Sequence, residues 1–460
     1  MVETQTKNQN TFWLWSDKVD WSKRGDVFYW LPEFLDIEKS VKSGTNLQDL
    51  LIKNITYGHT PLGGKNTYTD KGVLFIRSGQ LNDFFLDLSD NVYISENTHR
   101  KMQRSIIRGR DVLVATVGAT IGAVAITPDT INEANCNQAV GILRTDEKRL
   151  NPYYLAIYLS SPYGKEQILR QSSGGARDNL DPFELKRVKI ILPNIEDQQK
   201  VEQIVKEAFQ LKKEAEAEQK EANLILGNAI KEFYTADNQK PFWRWSNEIE
   251  IVKTLEPNFW KGAVGSKKYP SIKFGGIFSY HKGTEVGSAL YQDNGIPFLR
   301  VSDLGNLEIQ IGNSSKCINE TLFDELKDEF QPHKGELLLS KDATIGLVAK
   351  VEAEEKQIIS SGILKLQIKN KDFDADFLMA LLTNKFVNQE FVKNSTGSVI
   401  KHLNTQKLSE IELPLVNKQI QKEVANKIKS SISKKQLSRQ KLQEAKDFVE
   451  NLIKIKQSRV

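Results

Sequence analysis

The sequence predicts an α+β chain built twice over. Two tandem α/β domains are separated by two long helices that form an antiparallel coiled coil, so the halves are related by a pseudo-twofold. Three observations predict this: an internal repeat, a heptad-like stripe in each half, and short aliphatic runs set between polar turns. The reading places one domain over 1–195, a helix over 196–236, a second domain over 237–416 and a second helix over 417–460.

The repeat comes first. Phe12-Trp13-Leu14-Trp15-Ser16 returns as Phe242-Trp243-Arg244-Trp245-Ser246, and Tyr68 to Arg77 as Tyr291 to Arg300. Ala119-Thr120-Ile121-Gly122 returns as Ala343-Thr344-Ile345-Gly346. Tyr154-Leu155 matches Phe377-Leu378, and Ser172 to Leu180 matches Ser395 to Leu403. The offset stays between 223 and 230, far too long for a solenoid. It describes one domain plus one linker, used twice.

Each half ends in a helical pattern. In the first, Val201, Ile204, Ala208, Leu211, Ala215, Glu218, Ala222, Ile225 and Ala229 step by threes and fours. In the second, Val424, Ile428, Ser431, Lys435, Ser438, Leu442, Ala445, Val449 and Leu452 do the same, with a polar middle. Such a stripe is the signature of a helix pair. Residues 196–232 carry a net −3 and residues 417–460 a net +8, so the helices are expected to attract. A whole domain lies between them, which makes antiparallel packing the simplest arrangement. Runs ending at Pro193 and Pro414 precede them, and Asn194 and Asn417 sit near their starts.

The globular parts read as strands and short helices. Strand-like runs are Gly72 to Ile76, Asp111 to Ala115, Ala123 to Ile126, Val140 to Leu143, Glu336 to Leu339, Leu347 to Val351 and Gly362 to Ile368. Tyr153 to Leu159 and Asp376 to Leu382 read as helices.

Composition excludes some chemistry. There is no run of about 18 apolar residues for a membrane span, and no signal pattern at the N-terminus. Cys136 and Cys317 form no CxxC pair, which argues against a disulfide framework and a cysteine zinc site. Cytoplasmic residence is the expectation. A net charge of +5 on 460 residues is a weak pointer to nucleic acid, and outside the helices the charge sums to zero. No Walker loop occurs. His59, His99, His281, His333 and His402 show no metal-ligand spacing and read as surface or turn residues, with His402 set in a repeated Ser/Gly loop.

Asn151-Pro152-Tyr153-Tyr154 resembles the Asn-Pro-Pro-aromatic motif of amino-methyltransferases. The alternative is a helix start, with Asn as cap and Pro in the first turn. The second repeat has Asp374-Ala375-Asp376-Phe377 there, keeping the cap and losing the proline, and no glycine-rich cofactor loop exists. The helix start is the better reading.

The ordered repeat is similar to the specificity subunit of type I restriction-modification systems. Gly109 to Thr116 with the first ATIG, and Gly335 to Ser340 with the second, resemble the family's "GD-hydrophobic-S…G-IG" segment. Asp197-Gln198-Gln199 and Lys418-Gln419-Ile420 resemble its acidic-Gln helix opening, though the second lacks the acidic residue. The Val117-Gly118 pair is replaced by Lys341-Asp342 with a one-residue shift. The resemblance runs from about residue 40 to 456. It implies a chain without catalysis or cofactor of its own, binding a bipartite target in double-stranded DNA. The implied partners are two copies of an adenine-N6 methyltransferase subunit and restriction subunits, which use S-adenosylmethionine, ATP and Mg. A stand-alone methyltransferase or nuclease, and a coiled-coil interaction protein without DNA binding, are the rival readings.

DNA contact asks for polar loops that hold phosphates and reach base edges. In the first half the candidates are Thr60, Lys65, Asn66, Thr67, Arg77, Gln80, Arg177 and Asn179. In the second they are Lys282, Thr284, Arg300, Ser302, Lys341, Lys401 and His402. The bland alternative is solvated turns, with Arg77 paired to Asp70 and Arg300 to Asp293. A helix of about 35 residues is about 50 Å long, against about 34 Å for a DNA turn. The helices are therefore expected to set the gap between two half-sites.

Overall fold

The computed structural model describes residues 19, 27–82, 84–88, 90–171, 180, 182–234, 270–305, 307–312, 315–396 and 401–457. The aromatic repeat at 12–16 and 242–246 lies outside them. The chain divides into two compact units, Met1–Gln210 with Leu437–Val460, and Leu211–Gln436. The two long helices, Ile195–Tyr234 and Lys418–Gln457, are thus each shared between units. No helix among the described residues is long and apolar enough to cross a membrane.

In the first unit, strands Thr56–Tyr57, Val140–Leu143, Val112–Ala115 and Val124–Ile126 form one antiparallel sheet in that order. A second sheet orders Val92–Ile94, Val73–Ile76, Ala134–Cys136 and Ile106–Ile107, with its two central strands parallel. The second unit repeats this. Phe278–Lys282, Ile363–Ile368, Leu337–Ser340 and Val348–Lys350 form the antiparallel sheet. Lys316–Ile318, Ile296–Leu299 and Ile358–Ile359 form the mixed one. All seven strand-like runs read from the sequence are strands, within a residue or two at each end.

Pro152–Ser160 and Ala375–Thr383 are the expected helices. The Asn151 side chain accepts from the Tyr153 and Tyr154 amides, and the Asp374 side chain from those of Asp376 and Phe377. Both cap their helix, and the aromatics that follow are buried. The methyltransferase-like tetrapeptide is therefore a capped helix start.

In the first unit, Val201, Val205 and Ala208 share a core with Leu442, Ala445, Val449 and Ile453. Lys456 Nζ donates to the Leu192 carbonyl, and Ser438 Oγ to that of Ala208 at 2.7 Å, so these segments run antiparallel. In the second unit, Ala222, Leu226 and Ile230 share a core with Val424, Ala425, Ile428 and Ile432. Ser431 Oγ donates to the Ala215 carbonyl at 2.6 Å, and Lys427 pairs with Glu221 at 2.9 Å, again antiparallel. The polar middle of the second stripe thus caps carbonyls of the facing helix. Lys434 with Glu214 and Glu218, and Lys441 with Glu207, supply the charge attraction. Exposed pairs of this kind add little net stability. A buried Val or Leu contributes about 1.5–3 kcal/mol, so the apolar seam holds the segments and the charges select the partner.

The stripes need a correction in phase. Val205, Leu226, Ile230 and Ile453 are buried, whereas Ile204, Ile225 and Leu452 are only partly buried and Ala229 is exposed. A straight helix at 3.6 residues per turn drifts about 20° per heptad from a strict 3.5 repeat. Towards the far ends, at Leu226, Ile230 and Ile453, the buried face has moved on by one residue, while Val205 near the start is the i+4 neighbour of Val201.

The helix starts carry a second correction. Asn194 and Asn417 each accept from an amide of the first turn, at 2.8 and 2.7 Å. The buried glutamines, however, are Gln198 and Gln421, not Gln419, which is exposed. Gln198 accepts from the Asn151 amide and donates to the Pro193 carbonyl, and Gln421 donates to the Val416 carbonyl. Each ties its helix to the strand run before it.

Glu202 fixes the first long helix to its unit. It accepts from Arg110 at 2.7 Å, from Lys206 at 2.9 Å and from Asn151. Burial alone would raise the carboxyl pKa, but these hydrogen bonds win and hold it at about 2. The folded value lies below the ordinary one, so the stabilisation is full above about pH 4.5 and is lost as pH falls towards 2. Urea unfolding of the whole chain should show wild type losing roughly 1–2 kcal/mol more than E202Q between pH 5 and pH 2. Equal acid sensitivity would show that this cluster does not anchor the helix.

Candidate nucleic-acid interface

Two glycines locate the site. A Cβ on Gly58 would lie 2.0 Å from the Asn137 carbonyl oxygen, and one on Gly283 would lie 2.3 Å from that of Ser360. Only glycine permits so close a backbone approach. Around each, the chain makes the same bonds. In the first unit Gly58 N donates to Val140 O at 3.0 Å, His59 N to Cys136 O at 2.9 Å, Asn137 N to Ile76 O at 3.0 Å, Thr116 N to Ala139 O at 2.9 Å, and Leu180 N to Thr116 O at 2.9 Å. In the second, Gly283 N donates to Ile363 O at 3.0 Å, Thr284 N to Ile359 O at 3.1 Å, Ser360 N to Leu299 O at 2.8 Å, Lys341 N to Gly362 O at 2.9 Å, and Leu403 N to Lys341 O at 2.8 Å. Five bonds match, so the two junctions are one backbone design carrying different side chains.

The equivalences follow from those bonds. His59 corresponds to Thr284, Asn137 to Ser360, Thr116 to Lys341 and Arg77 to Arg300. Sequence comparison paired none of the first three, because nothing but backbone is shared there. His59 is exposed and Asn137 partly exposed, so the first junction carries two polar side chains that sequence reasoning left out of the candidate set. The signal that finds them is the strand pairing, not the residue identities.

The loop between Val117 and Gly122 holds four residues, against three between Asp342 and Gly346. The left-handed conformation that Gly118 adopts at φ 79° is taken by Ala343 at φ 57°. The one-residue shift seen in the sequence is this shortened turn.

Several candidates meet around Ser360 to Gly362. Ser361 N donates to Thr284 O at 2.7 Å, and a Cβ on Gly362 would lie 2.9 Å from Val301 Cγ2 and 3.6 Å from Asp342 Oδ2. Asp342 bonds His402 Nδ1 at 2.8 Å, and Ala343 N donates to Lys401 O. Thr284, the loop bearing Ser302, Lys341, Lys401 and His402 are thereby gathered, with Lys282 two residues from Thr284 at a strand end. Ser302, Lys282, Lys401 and His402 are exposed. In the first unit Thr60, Asn66 and Thr67 share the loop leaving Gly58, with Asn66 exposed and the Thr67 hydroxyl donating to Gly64 O at 2.7 Å. Arg177, Asn179 and the side chain of Lys65 lie outside the described residues.

Other candidates do structural work. Gln80 is buried, its Oε1 accepting from the Arg77 amide at 2.9 Å and its Nε2 donating to Asp87 O at 3.0 Å. Its counterpart Asp303 accepts from the Arg300 amide at 2.8 Å and from Ser315 at 2.6 Å. Gln80 is therefore withdrawn as a base reader. Lys341 is also buried, with Nζ held 2.7 Å from both Asp342 oxygens, so its charge is already neutralised. The ion pairs of the bland alternative for the arginines are replaced by others. Arg77 pairs with Asp90 at 2.8 Å and Arg300 approaches Asp303 at 3.8 Å, while Asp293 pairs with Lys316. His99 is not a surface histidine but is buried against Glu133 and Asn135. Among the described residues, no group of three His, Cys, Asp or Glu could hold a metal ion.

The junction gives a clean stability contrast. G283A should lower the melting temperature of the chain by several degrees, because the new methyl meets backbone rather than a movable side chain. G287A, which meets nothing within 4 Å, should leave it within a degree. Equal behaviour of the two variants would remove the junction as a structural constraint.

Comparison with known proteins finds the following similarities. The E. coli type I restriction enzyme EcoBI specificity subunit is 34% identical over 138 residues, covering 30% of this chain and 29% of that one, so the match spans under a third of the relative. The MjaVIII specificity subunit of Methanocaldococcus jannaschii is 22% identical over 365 residues, covering 76% of this chain and 79% of that one. The crystal structure of the type I restriction-modification S subunit from M. genitalium aligns with a TM-score of 0.44 at 14% identity, covering 89% of this chain and 94% of that one. The family described as "Type I restriction modification DNA specificity domain" matches twice, over residues 49–224 and 267–447. Those two matches take in both junctions and most of the chain, and the protein belongs to that family.

Proposed function

We propose that the chain reads a bipartite target in double-stranded DNA, one half-site per junction, and directs adenine-N6 methylation and ATP-dependent restriction by partner subunits. The observation that carries this is the duplicated junction: one backbone frame, presented twice, with unlike side chains. A frame that differed between halves would serve two unrelated tasks, and identical side chains would serve a palindrome. The reading makes Thr60, Asn66, His59 and Asn137 contacts to one half-site, together with Lys65, Arg177 and Asn179. It makes Thr284, Ser302, Lys282, Lys401 and His402 contacts to the other. Lysines hold phosphates, and Asn, His, Ser and Thr reach base edges.

In this reading the chain carries no catalysis. Two copies of a methyltransferase subunit supply S-adenosylmethionine chemistry, and restriction subunits supply ATP and Mg chemistry, in the cytoplasm. The paired helices set the gap between half-sites. Sequencing methylated bases in a host that expresses this chain with its methyltransferase should return one asymmetric adenine motif split by a fixed gap. Adding or deleting residues within 205–230 should change the gap and leave both halves intact. A palindromic or unbroken motif, or a gap that ignores helix length, contradicts the proposal.

A further inference from the structure

Among the described residues, the most exposed large apolar side chain is Leu62, at 93%, ahead of Val27 at 70%. A single exposed leucine on a protein surface is ordinary. The position of this one is not. It lies four residues beyond Gly58, on the loop that leaves the first junction. That loop has a fixed shape: Pro61 is buried, Gly64 N donates to Pro61 O at 3.0 Å, and Asn66 N donates to Gly63 O at 3.2 Å. The Thr67 hydroxyl closes it onto Gly64 O at 2.7 Å. Gly63 and Gly64 take left-handed φ values of 101° and 55°.

The same loop exposes Asn66. An exposed amide and an exposed apolar group on one loop match the kinds of group that an A·T pair offers in the major groove. Adenine N6 and N7 suit an Asn amide, and the thymine C5-methyl suits an apolar side chain. Water leaves both the leucine and the methyl when they meet, which makes the contact favourable only where a thymine is present.

We infer that Leu62 is a specificity-determining residue that reads a thymine methyl in the half-site bound by the first junction. The inference rests on the DNA-reading function proposed above. The stretch from Gly283 to Tyr291 in the second unit is two residues shorter than that from Gly58 to Tyr68, so no residue there stands in register with Leu62. Methyl reading by Leu62 is therefore assigned to the half-site of the first junction.

Deoxyuridine tests this, because it pairs as thymine does but lacks the methyl. The full chain, assembled with its methyltransferase subunit, is titrated with duplexes of its mapped target carrying deoxyuridine in one half-site or the other. Loss of one methyl contact should weaken wild-type binding roughly fourfold in the half-site read by the first junction. L62A should bind the thymine duplex weaker by a similar factor and should no longer distinguish thymine from deoxyuridine there. L62M should keep the distinction. A mapped half-site without any A·T pair overturns the inference, as does wild type indifferent to deoxyuridine in both halves, or L62A with undiminished discrimination. Failure of the assembly to bind any split target would instead overturn the DNA-reading proposal itself.

Discussion

A close backbone approach at a glycine in each unit constrains how the surrounding segments are arranged. At Gly58 and at Gly283 the chain passes a carbonyl nearer than any side chain allows. That passage pins the end of the antiparallel sheet to the turn between the mixed sheet's last paired strand and its own second strand. With those segments fixed, the polar side chains beside them have little freedom to shift. A binding surface built this way keeps its geometry when its side chains change. Duplication followed by divergence can then produce two different readers on one design.

The long helices obey a related economy. Apolar residues supply the association in each unit, while the acidic first helix and the basic second one choose each other. Ser431 and Ser438 are small enough to sit in the seam and satisfy themselves on facing carbonyls. A larger apolar residue at either place would fill space now used for close packing. The polar centre that looked weak in the sequence is thus a set of satisfied hydrogen bonds, and burial without loss of bonding costs little.

Much of this was legible in the residues. The strand runs, the capped helices at Asn151 and Asp374, and the two long helices follow from period, punctuation and capping chemistry. The opposite charges foretold which helices pair. The exact buried face did not follow, because a counted 3-4 alternation hides the slow drift between 3.5 and 3.6 residues per turn. The site was legible only in part. Loops could be named, but Gln80 and Lys341 looked like free polar groups and are buried in local networks. Polar residues announce themselves in a sequence, whereas their partners do not. His59 and Asn137 were missed for the converse reason: their counterparts, Thr284 and Ser360, share backbone bonds and no identity.

Both units share the junction frame, and on the proposed function its side chains do the reading. The most direct test places the second junction's unlike pair in the first. The variant H59T/N137S carries the second junction's residues in the first unit, and its methylation motif is mapped beside that of wild type. If the junction side chains do the reading, the melting temperature is unchanged, the first half-site is altered, and the second half-site and gap are untouched. A motif identical to wild type, or one altered in both halves at once, contradicts it.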